Sequence, residues 1–128
     1  MSKIIVIEED GAMRVLISEW LRGERHDVRS RSPHGISFDA AASESGGAVD
    51  LVVLDLPQPR STAGETARVV QAVRRAYPRS PIIGISTQAP RSLMSDSDVA
   101  RALGVNRLLA KPCTREELLE AVAATLAE

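Results

Sequence analysis

The chain has 128 residues, and its 16 basic and 17 acidic residues leave a formal net charge of -1 at pH 7. This length suits one domain with its own apolar core, and the balanced charge excludes the general attraction to nucleic acid or to an anionic membrane that a basic protein has. The single cysteine, Cys113, excludes an internal disulfide. Because no signal peptide or long apolar span is visible either, we expect a reducing, cytoplasmic setting.

Short apolar segments alternate with helical patterns along the chain. Ile4–Ile7 predicts a strand buried on both faces, and Ala12–Arg22 predicts a helix. The apolar stripe of that helix contains Met13, Leu16, Ile17 and Trp20. The remaining predicted elements are, in chain order, a weak strand at His26–Arg31, a short helix at Phe38–Ser45, a buried strand at Leu51–Leu54, a helix at Thr66–Ala76, a buried strand at Ile82–Ile85, a helix at Val99–Leu103, a short strand at Leu108–Ala110 and a helix at Thr114–Leu126.

The alternation of strands and helices sets the fold class. Five strand–helix units in sequence favour right-handed crossovers and a parallel sheet with helices on both faces. Thr114 and Glu117 have the spacing of a capping box, which marks the start of the last helix. The sequence therefore predicts a three-layer α/β protein, and neither an internal repeat nor a linker divides residues 1–128 into further domains.

Polar side chains follow four of the predicted strands. In an open parallel sheet, ligands bind beyond the carboxyl ends of the strands, so the residues at those ends are candidates for a site. The strand-end residues are Glu8-Glu9-Asp10 after the first strand, Asp55 after the second buried strand, Ser86 after the third, and Lys111-Pro112 after the last. Lys111 is one of only two lysines in the chain, the other being Lys3.

This set of side chains suits phosphoryl chemistry. A carboxylate such as Asp55 can attack phosphorus and form an acyl phosphate. The incoming phosphate and the acids repel one another unless a cation intervenes, and Mg²⁺ prefers carboxylate, phosphate and water oxygens. In this hypothesis Glu8 and Glu9 hold Mg²⁺, Lys111 neutralises a phosphate oxygen, and the Ser86 hydroxyl donates a hydrogen bond.

The chain resembles the receiver domains of response regulators in two-component signalling. The stretches "IIVIEEDGAMRVL", "DLVVLDLPQP", "PIIGIST" and "LLAKPCTREELLEAV" carry the resemblance, which covers nearly the whole chain. It implies a flavodoxin-like, doubly wound five-stranded sheet with strand order 2-1-3-4-5. It also implies roles for individual residues. Asp55 would be the phosphoacceptor, Glu8 and Glu9 the acidic metal pair, and Ser86 the family's hydroxyl. Lys111 would be the lysine before a proline, and the backbone carbonyl of Pro57 would bind the metal.

Four positions depart from the family pattern. The family usually has Asp where this chain has Glu9, whose extra methylene changes the reach of the carboxylate towards a metal. The glycine that follows the acceptor loop comes one residue late, at Gly64, so the loop carries an insertion. The residue after Ser86 is usually small but here is Thr87. Leu108 replaces the aromatic switch residue of the last strand, so no ring is present there to respond to phosphorylation.

Simpler roles are open to several of these residues. Glu8, Glu9 and Asp10 could serve the start of the first helix, where acids favour the helix dipole, and Asp10 suits an N-cap. Asp55 could be a turn residue, and strands often end in a serine such as Ser86. We assign both histidines, His26 and His34, to the surface, and we expect no reactive role for Cys113. We also assign to the surface a basic stretch that consists of Arg22, Arg25, Arg29 and Arg31.

The leading functional hypothesis is a stand-alone receiver domain without an effector domain, which is not an enzyme. It would accept a phosphoryl group from a histidine kinase or a histidine phosphotransfer protein. It would signal through the face formed by the fourth and fifth predicted helices and the last strand, with Arg101, Arg107 and Leu108. The sequence also allows a homodimer. The alternative is a pseudo-receiver that acts as an interaction module without phosphorylation. A phosphohydrolase ranks lower because Pro57 replaces the second Asp such enzymes use, and no G-x-G-x-x-G turn supports a Rossmann nucleotide site.

Overall fold

The computed structural model describes residues 2–31, 49–56, 63–86, 104–110 and 113–127. The strands are β1 (Lys3–Ile7), β2 (Asp27–Arg31), β3 (Leu51–Asp55), β4 (Ile82–Ser86) and β5 (Arg107–Ala110). The helices are α1 (Gly11–Gly23), α2 (Ala63–Ala76) and α3 (Arg115–Leu126). The helices predicted at residues 38–45 and 99–103 lie outside the described residues.

The five strands form one sheet in the order β2-β1-β3-β4-β5, and every neighbouring pair is parallel. This confirms the predicted doubly wound, flavodoxin-like fold. The central strands carry no polar side chain within Ile4–Ile7 or Leu51–Leu54, and all of these residues are buried. Strands of this kind need cover on both faces, because either face would otherwise expose a continuous apolar surface to water.

Two apolar clusters lie on opposite faces of the sheet. Alternate residues of β1 point to opposite sides, so Ile4 and Val6 pack with α1 and α3 while Ile5 and Ile7 pack with α2. The helices therefore form two outer layers around the sheet. Cys113 is buried in the first cluster, which agrees with its assignment to no reactive role.

Two helices begin with the caps that the sequence predicts. The Asp10 side chain accepts hydrogen bonds from the backbone N–H groups of Ala12 and Met13, so Asp10 is the N-cap of α1. Thr114 and Glu117 form a complete capping box at the start of α3. Each cap satisfies backbone donors that the first turn of a helix leaves without a partner.

The buried stripe of α1 differs from the prediction. Ile17 and Leu21 are fully buried, and Met13 and Trp20 pack against the same cluster, but Leu16 is 40% exposed. The stripe runs through positions four residues apart (Met13, Ile17, Leu21), which leaves Leu16 on its outer border. In α2, Val70 and Val73 are buried and Val69 packs beside them, and the helix begins at Ala63 rather than at the predicted Thr66.

A polar network fixes the amino ends of β4 and β5. Asn106 Oδ1 accepts hydrogen bonds from the Ile82 backbone N–H at 2.9 Å and from Arg74 Nη2 at 3.2 Å. Arg74 also donates to the carbonyl oxygens of Ser80 and Gly104. This network joins α2 to the two strands at the edge of the sheet remote from the acids.

Candidate functional site

The carboxyl ends of the strands meet at one edge of the sheet. Ile7 of β1 lies beside Leu54 of β3, and Asp55, the next residue, lies beside Ile85 of β4. One residue further along β4, Ser86 lies beside Ala110, the last residue of β5. Since neighbouring strands are about 4.8 Å apart, the register brings residues from four strands to a common edge.

Asp55 is the last residue of β3 and is half-buried. Four buried residues precede it, and the next residue, Leu56, donates its backbone N–H to the carbonyl oxygen of Ile85 at 2.9 Å. Gly84 allows Leu56 to pack closely, because an added Cβ there would lie 3.1 Å from Leu56 Cδ1. Both flanks of Asp55 are therefore held by the core while its carboxylate reaches the edge.

Ser86 ends β4 and is 6% exposed. Alternation places Asp55 on the α1–α3 side of the sheet, with Leu51 and Val53, but places Ser86 on the α2 side, with Ile82. The two side chains can meet only across the end of the sheet. Neither residue is without an interaction partner.

The acidic turn, residues Glu8 to Asp10, joins β1 to α1. Glu8 is 2% exposed and its Oε2 accepts the backbone N–H of Glu9 at 2.9 Å, whereas the Glu9 side chain is exposed. The Glu8 backbone N–H donates to the carbonyl oxygen of Arg31, which extends the pairing of β1 with β2 by one residue. Of the three acids, Asp10 serves the helix, as the simpler interpretation predicted, while Glu8 is directed into the protein.

Arg14 is a component of this turn that sequence analysis did not identify. Its Nη1 donates to the carbonyl oxygen of Glu8 at 2.8 Å, and its backbone N–H donates to the carbonyl oxygen of Asp10 at 2.9 Å. The available signal was spacing: an arginine four residues after an N-cap can fold back over the first turn of its helix.

The donor set of this edge fits Mg²⁺ in chemical kind. Mg²⁺ usually takes one or two protein carboxylates and completes its shell with water and phosphate oxygens. Glu8 follows β1, and Asp55 ends the adjacent strand β3. Within the described residues no group of three His, Cys, Asp or Glu side chains is assembled to hold a metal. A complete Mg²⁺ shell would therefore need carbonyl, water or phosphate oxygens besides the carboxylates of this edge.

Three predicted features lie outside the described residues. Lys111 follows Ala110 directly along the chain, Pro57 follows Leu56, and Thr87 follows Ser86. The roles expected for Lys111 and Pro57 stay predictions, as does the effect of Thr87 beside the acceptor.

The expected contact face needs one correction. Leu108 is 1% exposed and belongs to the cluster between the sheet and α2, so it cannot contribute to a surface. Arg107 is half-buried, and its Nε donates to Thr125 Oγ1 of α3 at 2.8 Å. Arg101, the third predicted member of this face, lies outside the described residues.

Comparison with known proteins identifies relatives along most of the chain. The family model of the response regulator receiver domain matches residues 4–123. A chemotaxis protein CheY homologue of Campylobacter jejuni is 27% identical over 121 residues, which cover 92% of this chain and 87% of that protein. The CAI-1 autoinducer sensor kinase/phosphatase CqsS of Vibrio cholerae is 24% identical over 123 residues, or 95% of this chain but 17% of CqsS.

Solved structures share the fold. The chemotaxis response regulator CheY4 of Vibrio cholerae superposes with a TM-score of 0.70 at 23% identity, with 98% of each chain covered. The response regulator TrrA of Thermotoga maritima superposes with a TM-score of 0.67 at 22% identity, covering 98% of this chain and 99% of TrrA. TrrA has been solved both with Mg²⁺-BeF and in complex with the histidine kinase ThkA.

The fold and the matches define a CheY-like signalling module of the flavodoxin-like class. More closely, the chain belongs to the response regulator receiver domain family of two-component signalling. Phosphorylation and Mg²⁺ binding are typical of this family, whose members are signalling modules and not classical enzymes. No helix in the described part of the chain combines the length and apolar character needed to cross a membrane.

Proposed function

We propose that this receiver domain accepts a phosphoryl group on Asp55 from a histidine kinase or a histidine phosphotransfer protein. The observation that carries the proposal is the register at the carboxyl edge, where Asp55 ends β3 between the strands that lead to Glu8 and Ser86. A half-buried carboxylate at that position combines access for a phosphodonor with rigid support from the sheet.

In the proposed step, a carboxylate oxygen of Asp55 attacks the phosphorus of a phosphohistidine. A P–O bond forms as the P–N bond breaks, and the imidazole nitrogen keeps the electron pair of the broken bond. The product is an acyl phosphate on Asp55, which water later hydrolyses to inorganic phosphate and the free carboxylate.

The neighbouring residues would balance charge during this step. Glu8, Glu9, Asp55 and the carbonyl of Pro57 would hold Mg²⁺, which when bound supplies positive charge between the phosphate and the carboxylates. Lys111 would neutralise a second phosphate oxygen, and the Ser86 hydroxyl would donate to the phosphoryl group. Because Ser86 alternates to the α2 side, it would act over the end of the sheet.

We also propose that residues 1–128 act as one receiver domain in the cytoplasm and pass on the signal by protein contact. TrrA, a structure with the same fold, has been solved with its histidine kinase partner, which supports a kinase as the donor. The proposed output surface is the exposed side of β5 and α3 around Arg107, with Leu108 excluded by its burial. Phosphorylation would shift a conformational equilibrium of this surface.

Incubation with Mg²⁺ and acetyl phosphate, followed by intact-mass measurement, tests the proposal. We expect one phosphoryl adduct on the wild-type protein and none on Asp55→Asn. Asp27→Asn is the matched control, because Asp27 is an exposed aspartate at the amino end of β2, and it should form the adduct as the wild type does. An adduct that persists in Asp55→Asn would assign the acceptor to another residue.

A pseudo-receiver is the second candidate, favoured by two specific observations. Glu8 Oε2 is engaged by the Glu9 backbone N–H, and Leu108 is a core residue with no ring to reorient. A pseudo-receiver would keep the receiver fold and bind a partner protein without being phosphorylated. Absence of any adduct on the wild type across a wide range of acetyl phosphate and Mg²⁺ concentrations would support it.

A further inference from the structure

Arg14 lies within the acidic turn without bonding to any of its carboxylates. Its Nη1 donates to the backbone carbonyl of Glu8 at 2.8 Å, and a Cβ added at Gly11 would lie 3.6 Å from its Nη2. The side chain is half-buried and folds back over the first turn of α1. A permanently charged guanidinium is therefore fixed at the Glu8 backbone, within the turn that carries Glu8, Glu9 and Asp10.

Two physical effects follow from this position. The hydrogen bond holds the end of β1 against α1, so the turn keeps its shape without help from a divalent ion. The positive charge lies in a turn that carries three acidic residues, and it repels any cation that approaches them. The first effect stabilises the fold, whereas the second opposes metal binding.

We infer that Arg14 is a resident cation of the acidic turn and lowers its affinity for Mg²⁺ by charge repulsion. The inference rests on the proposed function in taking Mg²⁺ as the ion bound at Glu8 and Glu9. Arg14 is a positioning residue in this account: it acts on the turn and does not touch the phosphoryl group.

Two substitutions at Arg14 separate charge from hydrogen bonding. Arg14→Gln removes the charge but keeps an N–H donor, and Arg14→Lys keeps the charge but replaces the planar guanidinium. Arg22→Gln is the matched control: Arg22 Nη2 donates to the carbonyl oxygen of Val28 at 3.0 Å, the same kind of bond at the other end of α1. Mg²⁺ affinity is measured from the rise of the thermal unfolding midpoint with MgCl₂ at constant ionic strength, and checked by calorimetric titration.

We expect Arg14→Gln to bind Mg²⁺ about three- to tenfold more tightly than the wild type, and Arg14→Lys and Arg22→Gln to bind within about twofold of it. The gain in Arg14→Gln should shrink as KCl is raised, because salt screens charge interactions between partly exposed groups. A change in stability alone would move the unfolding midpoint without Mg²⁺ but not its dependence on Mg²⁺.

Equal affinity in Arg14→Gln and Arg14→Lys, or weaker binding in Arg14→Gln, would overturn the inference. If wild-type protein still forms the acetyl phosphate adduct at Asp55 in that case, only the role of Arg14 fails and the proposed function stands. If the wild type forms no adduct and no variant binds Mg²⁺, both are rejected.

Discussion

The backbone N–H of Leu56 donates to the carbonyl oxygen of Ile85 at 2.9 Å, so β3 and β4 are tied together immediately beyond Asp55. The Leu56 side chain packs over Gly84, where an added Cβ would lie 3.1 Å from Leu56 Cδ1 and 3.3 Å from Val105 Cγ1. We expect Gly84→Ala to lower the free energy of unfolding by about 1 kcal/mol and Gly84→Val by up to about 3 kcal/mol, because both overpack this contact.

Urea unfolding measures the effect, and Gly23→Ala provides its control. Gly23 has open space around its Cβ position, so alanine there should leave stability unchanged or raise it by up to about 1 kcal/mol. Wild-type stability in Gly84→Val would show that Leu56 is not confined.

Arg25 has a backbone φ of 66°, a left-handed conformation that follows the C-cap of α1. Left-handed backbone costs a residue with a Cβ about 1 kcal/mol relative to glycine. We therefore expect Arg25→Gly to raise the free energy of unfolding by about 0.5–1 kcal/mol, measured by thermal or urea unfolding. Arg29→Gly, in the extended strand β2, should lower stability instead; a loss in both variants would contradict the assigned strain.

Tyr77 is 4% exposed, and its hydroxyl has no hydrogen-bond partner within the part of the chain that the structure describes. Removal of a buried polar group that makes no bond should cost little, so Tyr77→Phe is expected to retain or slightly exceed wild-type stability. Thr125→Val is the contrasting variant, since Thr125 Oγ1 donates to the Ala121 carbonyl and accepts from Arg107 Nε. We expect Thr125→Val to lower the free energy of unfolding by about 1–2 kcal/mol in the same assay. Equal losses in Tyr77→Phe and Thr125→Val would contradict this prediction.

Asn106 supports the amino ends of β4 and β5 through a single side-chain oxygen. Asn106→Ala would leave the Ile82 N–H without its acceptor and should lower the free energy of unfolding by about 1–3 kcal/mol. Asn106→Asp keeps an acceptor for both Ile82 and Arg74 and should remain close to wild type at neutral pH. Chemical denaturation of the pair checks this, and a similar loss in both variants would indicate that the amide N–H₂ group matters more than the oxygen.

Glu9 differs from the aspartate typical of the family by one methylene, and its side chain is exposed. Because Mg²⁺ tolerates little deviation from octahedral geometry, we expect Glu9→Asp to strengthen Mg²⁺ binding about two- to tenfold and to accelerate adduct formation at Asp55. Calorimetric titration and the rate of the mass shift measure the two effects. Glu24→Asp, at the far end of α1, should change neither; weaker binding in Glu9→Asp would show that the longer side chain suits this turn.

The strands and the helix caps could be predicted from the sequence because both signals are local. An uninterrupted apolar run such as Leu51–Leu54 has few solutions other than a covered strand. Asp10 caps a helix through the backbone two and three residues ahead of it, so its role needs no knowledge of the tertiary fold. The convergence of Glu8, Asp55 and Ser86 on one edge followed in turn from the parallel topology.

Other features depended on register and on backbone atoms. The opposite faces of Asp55 and Ser86 follow from the pairing of Asp55 with Ile85, and a shift of one residue would reverse them. The role of Arg14 was not predicted because its hydrogen-bond partner is a backbone carbonyl. Every residue has such a carbonyl, so the sequence does not indicate which one accepts the bond. Leu16 was misplaced because a helical stripe is wide enough to include residues on its border.

The border strand β2 has features that oppose aggregation by strand addition. Among the described residues β2 is the border strand of the sheet, with Asp27, Arg29 and Ser30 exposed, and Arg22 Nη2 donates to the carbonyl oxygen of Val28. An incoming strand would have to bury the charges of Asp27 and Arg29 and displace Arg22, which makes edge-to-edge polymerisation through β2 unfavourable. This border of the sheet therefore disfavours the joining of copies into a continuous sheet, even at high protein concentration.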